Sequence, residues 1–236
     1  MRIAITGENG FLGSHLKNFV NNNNKFEFIE LGRNFLESIS KLQDGDILIH
    51  AASVHRDISP ENVYLKNMNI NKSLISVINK HKLSLNIIFI SSIQESMDNP
   101  YGRSKRDGSR LFENYCISCN TSFISHRLPN IFGPKAKPYR TSFVATFCYN
   151  LHHGIECNFN SNLVQLCYID NIVDQITKIN WQIENFHTTE IKVDEVYFLL
   201  KKFKFSIDNN KIITFSSDFE QNLFTTFLSY KKYKLN

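Results

Sequence analysis

The stretch Thr6-Gly7-Glu8-Asn9-Gly10-Phe11-Leu12-Gly13 constrains this chain more than any other. The apolar run Ile3-Ala4-Ile5 precedes it, and Phe11 to Val20 carries apolar residues at helical spacing. The context is strand, tight turn, helix, and few folds place G-x-x-G-x-x-G there. Gly7 is expected to permit the turn, Gly10 to let the backbone approach a pyrophosphate, and Gly13 to let the helix pack close to the strand. The helix start would then offer free N–H groups and a positive dipole end to phosphates. The motif predicts dinucleotide binding, with Gly7, Asn9, Gly10, Phe11, Leu12 and Gly13 at the cofactor.

Strand and helix patterns alternate beyond it. Lys25 to Leu31 reads as a second strand, Asp46 to Ala52 as a third, Asn86 to Ser92 as a fourth and Thr121 to Leu128 as a fifth. Ser59-Pro60 opens a helix over 60–80, and another runs from Pro100 through Tyr115. This pattern predicts a Rossmann-type doubly wound parallel sheet. Pro129-Asn130-Ile131-Phe132-Gly133-Pro134 reads as a turn-rich break. After it come a helix over 142–151, a strand over 163–169, a helix over 171–182 capped by Asp170, a strand and helix within 188–208, and a last helix over 217–230. The expected organisation is one domain over 1–236. Residues 1–135 would form the NADP-binding core, and 136–236 a small C-terminal substrate-binding lobe, with some exchange of chain between them.

Where the second strand ends, a dinucleotide fold that uses NAD has an acidic residue for the ribose 2′-OH. This chain has Gly32 followed by Arg33. A small residue beside a guanidinium accommodates a 2′-phosphate, so NADPH/NADP is expected over NAD, with Arg33 as a ligand. Ala51 and Ala52, at the end of the third strand, are small enough for a cofactor to lie against their backbone.

Composition sets outer bounds. The net charge of +5 comes from scattered Lys and Arg, which predicts solvated surface and no nucleic-acid partner. No apolar run reaches the roughly 18 residues of a membrane span. The first residues already read as a strand, which leaves no space for a signal peptide, so a cytoplasmic location is expected. The cysteine count of five is odd, favouring reduced thiols, and the histidines show no ligand spacing for a metal.

The chemistry is read from three side chains. Tyr101 and Lys105, four apart at a helix start, share one face. Reduction of a carbonyl needs a hydride on the carbon and a proton at the oxygen. A free tyrosine titrates near about 10. A neighbouring ammonium is expected to favour the phenolate and bring proton transfer nearer to working pH. Ser92, at the end of the fourth strand, would hydrogen-bond the carbonyl oxygen.

With these residues the chain resembles the extended short-chain dehydrogenase/reductase superfamily, of the NAD-dependent epimerase/dehydratase type. The shared features are the glycine turn, His50-Ala51-Ala52, Asn67, Ser91-Ser92, Tyr101-x-x-x-Lys105 and Arg127 to Pro134. The resemblance implies that Tyr101 is the acid/base, that Lys105 assists it and that Ser92 orients the carbonyl. It also implies that His50, Asn67, Ser91 and Pro129 lie at the cofactor. Asn130 and Tyr168 are candidate substrate contacts.

A narrower similarity rests on Ser91 to Gln94, Asp98 to Lys105, Val144 to Asn150 and Leu223 to Tyr230. These strings resemble capsule and O-antigen UDP-sugar reductases of the CapF/WbjC type. That implies NADPH-dependent reduction of the 4-keto group of a UDP-2-acetamido-2,6-dideoxy-hexos-4-ulose. Alternatives are another nucleotide-sugar 4-ketoreductase or epimerase, such as one acting on a dTDP-4-keto-6-deoxy-hexose, or a non-catalytic NADP-binding sensor. Such reductases normally continue into a cupin domain that epimerises sugar C3. The chain ends at Asn236, so no cupin domain is expected, and C3 chemistry would fall to a separate C3-epimerase. A homodimer through the helices at 60–80 and 100–118 is also implied.

Overall fold

The computed structural model describes residues 1–140, 142–182 and 185–235. The chain forms two compact units: Met1–Leu128 with Val173–Asn185, and Pro129–Ile172 with Phe186–Asn236.

The first unit is built on a five-stranded parallel sheet of β1 (Arg2–Thr6), β2 (Glu27–Ile29), β3 (Ile47–His50), β4 (Asn86–Ser92) and β5 (Phe123–Leu128). Their spatial order is β2-β1-β3-β4-β5. β1, β3 and β4 are near-continuous apolar runs because both sheet faces are covered. In register, Thr6 lies beside His50 and Ser91 beside Arg127. The connections reverse direction between β1 and β3. In doubly wound sheets the ligand crevice lies at this point, beyond the carboxyl ends of the strands. Thr6 and His50 end the two strands there, and Ser92 ends β4 one strand further on.

Helices α1 (Phe11–Asn21), α3 (Pro60–Lys80) and α4 (Pro100–Cys119) cover the sheet, and the short α2 (Phe35–Ser38) follows β2. The core under α3 and α4 gathers Leu48, Leu74, Ile78, Ile87, Phe89 and Phe112, all fully or almost fully buried. α3 begins with Ser59 in extended conformation and Pro60 in its first turn, although the Ser59 hydroxyl makes no cap bond. The Asn99 side chain caps α4 by accepting from the Gly102 N–H at 2.8 Å.

The second unit holds a three-stranded sheet of β6 (Asn130–Phe132), β7 (Leu163–Tyr168) and β8 (Thr189–Lys192), in that order, parallel then antiparallel. It also holds α5 (Phe143–His153), α7 (Val193–Asp208) and α8 (Asp218–Ser229), and the chain crosses between units within α6 (Ile169–Thr177). Tyr230 is fully buried, and its hydroxyl donates to the Ala136 carbonyl at 2.5 Å.

Three details differ from the sequence pattern. β2 covers only Glu27–Ile29 because the chain before it is still turning, with Phe26 N–H bonded to the Asn23 carbonyl. β6 lies inside the stretch read as a break. α6 starts at Ile169, so Asp170 sits in its first turn instead of capping it, and the helix ends at Thr177, short of 182.

Candidate active site

The glycine turn is built to approach an anion. Gly7 has φ +72°, and a Cβ there would stand 2.9 Å from the Ala52 backbone. Small residues on β1 and β3 thus let the two strand ends close on each other. A Cβ on Gly13 would stand 2.1 Å from the Gly7 carbonyl, so α1 packs directly on the turn. A Cβ on Gly10 would meet only the Gly7 carbonyl, at 3.1 Å. The Gly10 N–H bonds that carbonyl at 2.8 Å, and Ser14 N–H bonds the Gly10 carbonyl at 2.9 Å.

Helix geometry leaves the N–H groups of Phe11, Leu12 and Gly13 without intrahelical acceptors. No side chain caps them, and no acidic residue stands in the first turn of α1. Glu8 keeps its charge off the turn: it is buried and paired with Lys17 Nζ at 2.9 Å. Exposed Asn9 and half-buried Phe11 and Leu12 flank the open N–H groups. This set fits a dinucleotide pyrophosphate. At the end of β2, Gly32 has φ +71° with nothing within 4 Å of a Cβ, and the exposed Arg33 makes no ion pair among the described residues.

A directed hydrogen-bond chain supports the floor beside the turn. The Asn71 amide oxygen, 2.9 Å from His50 Nε2, can only accept, so Nε2 carries the proton. Nδ1 then accepts from the Thr6 hydroxyl at 2.6 Å, and the Thr6 oxygen accepts from Ala52 N–H at 3.2 Å. Burial pushes His50 down to about 4, which keeps it neutral. The ring therefore acts through Ala51 and Ala52. Its own nitrogens are engaged within the protein.

Asn67 is likewise turned inward. Its amide accepts from Val54 N–H at 2.7 Å and donates to the Val54 carbonyl and to Ser104 Oγ, each at 3.0 Å. Ser104 in turn donates to the Tyr101 carbonyl at 2.7 Å. Asn67 thus ties the loop after β3 to the turn of α4 that bears Tyr101.

Tyr101 and Lys105 share one face of α4, with Lys105 Nζ 5.6 Å from the Tyr101 ring centre. Lys105 is buried and donates to the Ile90 carbonyl at 2.8 Å, beside the Phe89 ring. Burial lowers it to about 8. Burial also raises the Tyr101 phenol above its ordinary value, and a hydrogen bond to the Ser53 side chain offsets this only in part. Desolvation is the largest effect on the phenol, so Lys105 does not bring Tyr101 down toward working pH as expected, and the group stays a phenol until it gives up its proton.

Ser92 Oγ accepts from Gln94 N–H at 3.2 Å, which leaves its proton to donate elsewhere. Ser91 is buried and gives its hydroxyl to Glu95, which also pairs with Arg127. Pro129, Asn130 and Tyr168 belong to the second unit. Pro129 is buried, Asn130 is exposed and donates to the Gln165 carbonyl at 3.3 Å, and the half-buried Tyr168 ring stands 5.5 Å from Phe132.

Sequence reasoning missed two features. The His55 ring lies 5.2 Å from the Tyr101 ring, and Ser53 Oγ stands 3.3 Å from His55 Nε2. Both sit at a strand's carboxyl end, which was the available signal. A Cβ on Gly102 would stand 2.0 Å from the Gln94 carbonyl, so this glycine seats α4 against the turn after Ser92. An isolated glycine within a helical pattern was its signal.

Comparison with known proteins agrees with this architecture. The chain is 27% identical to the UDP-2-acetamido-2,6-beta-L-arabino-hexul-4-ose reductase of Pseudomonas aeruginosa, over 98% of this chain and 65% of that protein. It is similar to the crystal structure of the capsular polysaccharide assembling protein CapF of Staphylococcus aureus, with a TM-score of 0.82 and 29% identity, covering 98% of this chain and 66% of that one. The chain thus spans slightly less than two thirds of both relatives. A structure of RMD from Pseudomonas aeruginosa complexed with NADPH shares the fold, with a TM-score of 0.81 and 15% identity, covering 98% of this chain and 99% of that one. Residues 3–191, most of the chain and the whole of the glycine turn and the Tyr101–Lys105 pair, match a single family description, and the chain belongs to the NAD dependent epimerase/dehydratase family.

Proposed function

We propose that this chain reduces the 4-keto group of a UDP-2-acetamido-2,6-dideoxy-hexos-4-ulose with NADPH. The carrying observation is the half-buried Tyr101 paired with the buried Lys105 on one face of α4, with Ser92 ending the neighbouring β4. The substrate class is drawn from the 4-keto reductase that the chain resembles over 98% of its length. NADPH, when bound, supplies the hydride. Ser92 donates its proton to the carbonyl oxygen and fixes its position. Tyr101, held as a phenol by burial, gives the proton that completes the alcohol. Lys105 keeps a positive charge beside the phenol and stabilises the phenolate left behind. Gly7 to Gly13 hold the pyrophosphate, and Asn130 and Tyr168 contact the sugar. The enzyme works in the cytoplasm as a homodimer.

The test is loss of NADPH absorbance with enzymatically prepared UDP- and dTDP-linked 4-keto sugars. Turnover of the UDP-acetamido sugar supports the reading. Turnover of the dTDP sugar alone replaces the substrate, and NADPH binding without turnover of any of them favours a sensor.

Arg33 is the proposed 2′-phosphate ligand. Arg33→Glu should weaken NADPH binding by about 10- to 100-fold, since one charge-assisted bond is lost and a repulsion gained. NADH binding should change little. Titration of both cofactors by fluorescence checks this, and an equal loss for the two would remove Arg33 from the site.

Lys105 sets a pH limit. Its folded value of about 8 lies below its ordinary 10.5, so the ammonium is lost as pH rises through about 8. kcat/KM, which reports the free enzyme, should fall there. Between about 8 and 10.5 the unfolded chain binds more protons than the folded one, so Lys105 makes folding more favourable as pH rises. Activity falling while Lys105 adds stability separates this titration from alkaline unfolding. Lys105→Met should remove the basic limb together with most activity.

A further inference from the structure

We propose that Glu95 is a positioning residue for the reduction: its buried carboxylate holds the turn that aims the Ser92 hydroxyl at the carbonyl oxygen. The inference deepens the reductase reading and rests on it.

Ser92 ends β4 and opens a short turn of 3-10 helix, Ile93–Ser96. Its backbone is extended, and its Oγ accepts from the Gln94 N–H at 3.2 Å. That bond fixes the oxygen, so the hydroxyl proton is the part left for a substrate. The bond exists only while the turn folds back over the strand end. Within the turn, the Met97 N–H bonds the Gln94 carbonyl at 2.9 Å and the Ser96 hydroxyl bonds the Ile93 carbonyl at 3.0 Å. Bonds of the 3-10 type have poor geometry, so a turn of this length is held weakly by its own contacts.

Glu95 supplies the support from outside. It is the buried residue of the turn. One carboxylate oxygen accepts the Ser91 hydroxyl at 2.5 Å, and the other pairs with the Arg127 guanidinium. The Glu95 backbone carbonyl accepts from Arg106 Nη1 at 3.0 Å. Ser91 and Arg127 are register partners on β4 and β5, so their side chains leave the sheet on one face and a single carboxylate reaches both. Glu95 thereby joins the turn to β4, β5 and α4. The neighbouring Gln94 carbonyl is seated against α4 at Gly102. Both ends of the Ser92–Gln94 bond are thus fixed: Ser91 is pinned just before it, and Glu95 just after.

The two serines divide the task. Side chains alternate along a strand, so Ser91 meets Glu95 on one face and Ser92 points to the other. Taking a carboxylate out of water is costly, and an apolar residue would fill the same space without that cost. What the carboxylate adds is two directed acceptors. Without them the turn is free to carry the Gln94 N–H off Ser92 Oγ. The hydroxyl then moves among its staggered positions and donates to the carbonyl only part of the time.

The test uses the whole chain and two readouts. The first needs no substrate: hydrogen exchange of the Gln94 amide, followed by NMR. Exchange should speed about tenfold or more in Glu95→Ala, as in Ser92→Ala, while amides of β1 and α1 keep their rates. The second is a double-mutant cycle on turnover. Ser92→Ala should lower kcat about 100-fold, as for loss of one donor to a developing oxyanion. Glu95→Ala should lower kcat about 10- to 100-fold through misplacement of that donor, with KM for NADPH unchanged. Added to Ser92→Ala, the same change should cost less than about twofold, because no hydroxyl is left to misplace. Glu95→Gln keeps the shape and one acceptor oxygen. It should move both readouts the same way by less, and it carries the test where Glu95→Ala does not fold. A Gln94 amide that exchanges at its original rate in both Glu95 variants overturns the proposal. So does an equal loss of kcat with and without the Ser92 hydroxyl, which would make Glu95 a support for the fold alone. If the unmodified protein reduces no 4-keto sugar, the reductase reading fails, and the exchange rates still decide whether Glu95 sets the Ser92 turn.

Discussion

Tyr101→Phe should lower kcat on the 4-keto sugar by about 10²- to 10⁴-fold, the usual range for loss of a positioned general acid. The ring remains, so contacts with His55 and the stem of Lys105 persist, and only the hydroxyl goes. That hydroxyl is raised by burial, and its hydrogen bond to Ser53 offsets only part of the effect. Its removal spares the fold a desolvated polar group. Thermal stability should therefore stay level or rise slightly, and NADPH affinity should change little. A variant with full turnover would show that the proton comes from elsewhere.

The second large effect is structural. Gly13→Ala places a methyl 2.1 Å from the Gly7 carbonyl, 2.7 Å from its carbon and 2.9 Å from Glu8 Cα. All three are backbone atoms, so no flexible side chain can yield. Either α1 or the turn must move. Overpacking of this kind costs about 1–3 kcal/mol. At the size of this unit that lowers the melting midpoint by about 2–12 °C. The turn being displaced carries the free N–H groups of α1, so NADPH affinity should fall by about 100-fold or more, the larger signature. Gly10→Ala is the informative contrast. Its Cβ meets only the Gly7 carbonyl at 3.1 Å, so stability should hold better while close approach of the pyrophosphate is lost. Calorimetry and cofactor titration on both variants check the pair. Equal stability losses would mean that Gly13 does not seat the helix.

Much of the first unit could be read from the chain because its strands are buried on both faces. Such strands appear as unbroken apolar runs, and Ile47 to Ile49 and Ile87 to Ile90 do so. The same-face placement of Tyr101 and Lys105 followed from helical spacing and needed no tertiary information. β6 was hidden because it is three residues long, paired on one side only, and bounded by Pro129 and Pro134. Its identity comes from β7, a partner more than 30 residues away.

The electrostatics of the site were the least legible. An ammonium four residues from a phenol suggests a lowered phenol, and the spacing is right. Burial reverses the outcome. Ser53 and His55 were invisible as partners of Tyr101 for a related reason: a five-ångström ring contact across 46 positions of sequence leaves no periodic trace. Asn67 shows the converse. Its place in the pattern pointed to a ligand, and the fold uses its amide to fasten the loop to α4.

The central claim is hydride delivery to sugar C4 with Tyr101 as proton donor. The most direct measurement is reduction of the UDP-2-acetamido-2,6-dideoxy-hexos-4-ulose with NADPH carrying deuterium at the transferred position of the nicotinamide, followed by NMR of the product. The account predicts one deuterium at sugar C4 with C3 unlabelled, and labelled product formed about 10²- to 10⁴-fold more slowly by Tyr101→Phe. Deuterium absent from C4, or label reaching C4 at the full rate in Tyr101→Phe, would contradict it.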